Sequence, residues 1–109
     1  MPSHPTFLSP TDLNRLVSSG QPALVEFYSP TCSHCQALEP TIEALAREWG
    51  ERLTISQLDL SEHPKAAREW QVMGTPTVLV FDKGAAVARL TGVQPKRQYV
   101  SELQKLVGD

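Results

Sequence analysis

"LVEFYSPTCSHCQALEPTIEALA", residues 24–46, runs from a β-rich apolar stretch, through a loop with the first of the chain's two cysteines, into an amphipathic helix. The apolar stretch covers 23–28, "ALVEFY", between Pro22 and Pro30, and reads as a strand. From Cys35 onward Leu38, Ile42, Leu45, Ala46 and Trp49 recur at helical spacing until Gly50 stops the pattern. A strand followed at once by a helix is half of a parallel βαβ unit, so the flanking sequence must supply the rest.

It does so on both sides. Ser9, Pro10 and Asp12 predict a helix start with a capping hydroxyl, a proline in the first turn and an acid at the positive end. Leu13, Leu16 and Val17 share one face of that helix before Gly20. Residues 53–60, "LTISQLDL", alternate as a strand, and Ser61, Glu62 and Pro64 open a short helix through Trp70. Residues 77–81, "TVLVF", form a strand, 82–84, "DKG", a hairpin turn, and 85–92 the returning strand. Pro95 opens a last helix whose Val100, Leu103, Leu106 and Val107 face inward. The order helix, strand, helix, strand, helix, hairpin, helix predicts an α/β fold. Its mixed central sheet has a parallel core and an antiparallel hairpin, with helices on both faces. At 109 residues, 1–109 is expected to be one domain.

Composition excludes several function classes. Hydrophobic residues at 40% and charged ones at 20% are those of a globular chain. Ten basic and twelve acidic residues are mixed along it, for a net charge of −2, with no basic stripe to hold nucleic acid. No apolar run approaches the ~20 residues that span a bilayer. The opening 1–14, "MPSHPTFLSPTDLN", lacks the basic start and apolar stretch of a signal peptide, so a cytoplasmic, monomeric protein is expected.

Cys32 and Cys35 could serve as a staple, a metal site or a redox switch. A bond between them closes a very short loop and stabilises little. In the cytoplasm, disulfides are usually transient and catalytic or redox-sensing. Two thiols and one histidine are too few ligands for a closed zinc site, although a dimer could gather four cysteines around an iron–sulfur cluster. An adaptor with incidental redox chemistry is a further alternative. Position favours the switch: Cys32 falls at or near a helix N-terminus, whose free N–H groups and dipole favour a thiolate. Cys35, one turn further, is placed to attack Cys32's sulfur in a mixed disulfide. No cofactor beyond the Cys32–Cys35 redox pair is expected.

Together with 73–84, "MGTPTVLVFDKG", and the "LTG" of 90–92, the stretch resembles the thioredoxin family over roughly residues 22–108. The resemblance implies the thioredoxin fold and thiol–disulfide exchange with client proteins, with a thioredoxin reductase as candidate electron donor. It implies a kinking proline at Pro40 and a cis peptide before Pro76, with Thr75 offering backbone hydrogen bonds to an extended client. Met73, Gly92 and Val93 match positions bordering the family's partner groove.

Glu26 reads two ways from the residues alone, as an exposed acid on an edge strand or as a buried carboxylate with a raised pKa. The family carries a buried aspartate there, the proton acceptor for the second cysteine, which implies the same role for Glu26. Gln57 stands in place of the lysine that commonly accompanies that aspartate. Ser33 and His34 replace the family's usual Gly-Pro, and a histidine there is similar to protein disulfide isomerases. A partly charged His34 near a Cys32 thiolate is expected to make the pair more oxidising. Thr31 replaces an aromatic residue that relatives carry before the first cysteine. His4 and His63 read as surface residues, and Trp49 and Trp70 as packing.

Overall fold

Ser9 caps the first helix as its spacing predicts: its hydroxyl accepts the Asp12 N–H at 3.1 Å, and the Asp12 carboxylate accepts the Ser9 N–H at 3.2 Å. A computed structural model describes residues 4–108; residues 1–3 of the opening stretch and Asp109 lie outside the described residues. The elements are β1 (Thr6–Phe7), α1 (Pro10–Ser18), β2 (Ala23–Tyr28), α2 (Ser33–Trp49) and β3 (Thr54–Asp59). After them come α3 (Lys65–Glu69), β4 (Thr77–Asp82), β5 (Ala85–Thr91) and α4 (Lys96–Val107). The sheet has the order β1-β3-β2-β4-β5. β1, β3 and β2 pair parallel, while β4 pairs antiparallel with both β2 and β5. The mixed sheet expected from the element order is present.

Two details differ from expectation. β1 is a parallel edge strand of two exposed residues, too short to show any burial pattern. The helix expected from Ser61 begins only at Lys65. The Asp59 carboxylate accepts both the N–H and the O–H of Ser61, at 2.8 and 2.6 Å, and this local turn competes with helix formation. The hairpin turn is as expected: Lys83 and Gly84 take φ of 55° and 87°, the pair of positive values that a two-residue turn needs to match strand twist.

Alternation along the strands sorts the core into two layers. Leu24, Ile55, Val78 and Val80 face Leu38, Ile42, Leu45 and Trp49 of α2 and Tyr99 and Leu103 of α4. Val25, Phe27, Leu58, Leu79 and Phe81 face Leu13 of α1 and Ala66 near Val72 on the other side. By the same two-residue period, Glu26 and Gln57 fall on the α2 face. Directly paired across β2 and β3, they bring two polar side chains under the helix that carries the thiols. β2 is covered on both faces, so Glu26 is wholly buried. α2 runs as one helix across Pro40. Trp49 is buried in the first layer, and Trp70 packs edge-on against Phe81 at 5.4 Å.

Candidate active site

β2 ends at Tyr28, and the chain turns through Ser29–Thr31 into α2. The turn is braced: Cys32 N–H donates to Ser29 O at 3.2 Å, and the Gln36 side-chain amide donates to Pro30 O at 2.9 Å. Cys32 is thereby the N-cap of α2, with an extended backbone (φ −82°, ψ 116°), and its sulfur accepts the Cys35 N–H at 3.2 Å. The Thr75–Pro76 bond is cis, and the Thr75 carbonyl lies 3.5 Å from the Cys32 sulfur, accepting from the thiol. Gly92 N–H donates to Pro76 O at 2.9 Å, tying the start of the 92–95 loop to the same place.

Both cysteines are free thiols, in unlike surroundings. Burial alone would raise the Cys32 pKa, but hydrogen bonds from Cys35, Thr75 and the backbone at Cys35 and His34 outweigh it, and the thiol titrates below its ordinary value. Cys35 is buried, and burial together with its hydrogen bond to Cys32 pushes it up to about 11. One helix turn therefore separates an easily ionised sulfur from one that keeps its proton.

Glu26 lies on the sheet beneath α2. Burial, with a smaller push from the nearby Glu39, raises its pKa from 4.5 to about 7 against the lowering effect of a hydrogen bond from Gln57. Gln57 Nε2 donates to Glu26 Oε1 at 2.8 Å and to Glu39 Oε2 at 3.1 Å. Glu39 escaped the sequence reading, although its place one turn after Cys35 on the same helix face was a usable signal.

The remaining candidates are placed as follows. His34 is exposed on the first turn of α2, and its backbone N–H is among the donors that act on the Cys32 sulfur. Met73 is 98% exposed and Val93 is 44% exposed, which leaves two large apolar side chains in solvent on the segments joined to the cis-proline loop. Pro76 is buried and Thr75 half-buried. A cavity of about 840 Å³ beside Met73 and Gly74 is bordered by Arg68 and Arg89. His4 is exposed and pairs with Glu43 at 2.9 Å, away from the thiols. Among the described residues no three His, Cys, Asp or Glu side chains gather as a metal site would require, and no helix is long and apolar enough to cross a membrane.

Comparisons with known proteins agree with this geometry. The Thioredoxin family profile matches residues 5–105. A thioredoxin of Mycobacterium tuberculosis is 35% identical over 92 residues, which is 84% of this chain and 79% of that protein. A bifunctional thioredoxin reductase/thioredoxin of Mycobacterium leprae is 35% identical over 92 residues, and the match spans 20% of that longer relative. Among solved structures, a mutant thioredoxin from Halobacterium salinarum superposes with a TM-score of 0.86 at 27% identity, covering 97% of this chain and 93% of that one. With a matching profile, a matching fold and a helix-capping dithiol facing a cis-proline, the chain belongs to the thioredoxin family and is a protein-disulfide oxidoreductase that exchanges disulfides through Cys32 and Cys35.

Proposed function

We propose that Cys32 is the nucleophile of this exchange, Cys35 the resolving thiol and Glu26 the acceptor of Cys35's proton. The observation that carries this reading is the opposite displacement of the two thiols, Cys32 below its ordinary pKa and Cys35 up to about 11. A Cys32 thiolate attacks a client disulfide, forms a mixed disulfide and expels one client thiolate, which takes a proton from solvent. Cys35 then gives its proton to the Glu26 carboxylate, and its thiolate attacks the Cys32 sulfur. The second client thiolate leaves, the client has gained two electrons, and the protein holds a Cys32–Cys35 disulfide. A carboxylate with a pKa of about 7 suits the transfer, being available as a base near neutral pH.

Clients are disulfide-bearing proteins that lie along Thr75 and Pro76 and rest on Met73, Gly92 and Val93. The exposure of Met73 and Val93 favours an apolar client segment there. A thioredoxin reductase of the cytoplasm is the proposed electron donor, in keeping with the relative whose name joins a reductase and a thioredoxin. The chain acts as a single monomeric domain.

The thiol assignment has a direct test. In the reduced protein at pH 7, iodoacetamide should label Cys32 rapidly, whereas only about one Cys35 in 10⁴ is a thiolate, given a pKa of about 11. Peptide mass spectrometry after short exposures reads the order, and faster labelling of Cys35 would reverse the two roles.

His34 bears on the potential. With Ser-His between the cysteines, the reduction potential is expected between about −270 mV, as for thioredoxin, and about −180 mV, as for protein disulfide isomerase. His34→Ala keeps the backbone that favours the thiolate, so any change isolates the ring. An exposed charge pair is worth little, and the variant should be more negative by about 5–20 mV. Equilibration with glutathione measures both values; an unchanged potential in the variant assigns no redox effect to the imidazole.

A further inference from the structure

The Gln57 amide has two N–H bonds, and both go to carboxylates on different elements: Glu26 on β2 at 2.8 Å and Glu39 on α2 at 3.1 Å. The two acids differ in what else they meet. Glu26 is wholly buried, and its Oε2 has no hydrogen-bond partner among the described residues, nor has Oε1 of Gln57. An ionised carboxylate with an unpartnered buried oxygen costs more than a protonated one. Glu39 is half-buried and lines an open notch of about 340 Å³ with Cys35, Tyr28 and Gln36. The pair thus has a buried end on β2 and a wet end lining the notch with Cys35.

We propose that Glu39 is a positioning residue for the resolving step: bridged to Glu26 by the Gln57 amide, its carboxylate sets the pH at which that buried carboxyl can take the proton of Cys35. The kinetic part rests on the reading of Glu26 as acceptor; the action of the Glu39 charge on Glu26 does not. Among the described residues neither Glu26 nor Glu39 forms an ion pair with a lysine or arginine. Asp59 on β3 and Glu62 beyond it act together with Glu26 and Glu39 on the Tyr28 phenol, Glu26 also acts on Tyr99 of α4, and Cys35 lines the notch with Glu39. A negative charge held by the same amide disfavours ionisation of the buried Glu26 carboxyl. Glu39 itself acts on Glu26 in this sense, raising its pKa.

Glu39→Gln is the test, since it removes the charge but keeps an oxygen to accept from Gln57. Carbon-13 NMR of the side-chain carboxyl of Glu26 reads its midpoint in the reduced protein. The pH dependence of release from a preformed mixed disulfide reads the resolving step. Both midpoints should move acidward together by between about 0.5 and 2 pH units, the range for charges about 6 Å apart at effective dielectrics of 80 to 20. Glu39→Asp, which retains the charge, should restore most of the difference, and a merely structural Glu39 would give no such ordering. An unmoved Glu26 carboxyl midpoint in Glu39→Gln overturns the pairing. A moved carboxyl midpoint with an unmoved rate profile upholds the coupling of the two acids and removes Glu26 as the base, so the two readings fail separately.

Discussion

Cys35→Ser should accumulate as covalent complexes with its clients, while Cys32→Ser should form none and reduce nothing. In Cys35→Ser the Cys32 sulfur keeps its place at the cap of α2, where the residue at 35 still donates its backbone N–H, at 3.2 Å in the native protein. It loses only the hydrogen bond from the neighbouring thiol, so attack on a client disulfide continues. Resolution stops, because a serine hydroxyl cannot close a disulfide with Cys32. Multiple-turnover reduction should fall to background in both variants. The difference between them is visible on a non-reducing gel as slower-migrating, reductant-sensitive species with Cys35→Ser alone. Adducts of Cys32→Ser through Cys35 in comparable yield would sink the assignment, since Cys35 is buried and titrates near 11.

Glu26→Gln should separate the two chemical steps and change stability with a pH signature. Without its acceptor, the resolving step should slow by about 10²–10⁴-fold, the usual contribution of a positioned general base, while the first attack changes little. Equal slowing of both steps would count against the acceptor role. The stability effect follows from the raised pKa. Below pH 4.5 the carboxyl is protonated in folded and unfolded chains alike, and it costs nothing. As pH rises toward about 7 the unfolded chain ionises first, and the folded state loses its advantage; a rise from 4.5 to about 7 corresponds to about 3 kcal/mol. Glu26→Gln should therefore match the native protein at pH 4 and exceed it by up to about 3 kcal/mol at pH 8, measured by urea unfolding. A gain as large at pH 4 as at pH 8 would assign it to packing instead of charge.

The features read correctly from the chain are those whose cause is local. Ser9 and Asp12 meet across three residues, so the capping box of α1 is written in their spacing. The apolar period of Leu38, Ile42, Leu45 and Trp49 marks the buried face of α2, and "DKG" marks a turn because Gly84 tolerates a positive φ. Cys32 at the cap and Cys35 within the first turn follow from the same helix boundary. The competing turn at Asp59 is also local, yet the choice between it and a helix cap at Ser61 depends on how the chain leaves β3.

What the chain alone could not decide lies between distant residues. Cys32 meets Thr75 across 43 positions, and Glu26 meets Gln57 across 31. β1 exists only because the edge of β3 pairs with it, since two exposed residues carry no signal of their own. Glu39 shows the limit most clearly. On its helix it is an ordinary acid one turn from a cysteine, and it becomes a partner of Glu26 only because sheet register puts Gln57 between them. Sequence by itself determined the fold class, the helix that carries the dithiol and the order of the two thiols along it, because periodicity, capping and helix-end electrostatics act over a few residues. Tertiary structure alone decided that Gln57 bridges Glu26 and Glu39, because strand pairing joins residues whose separation along the chain leaves no local trace.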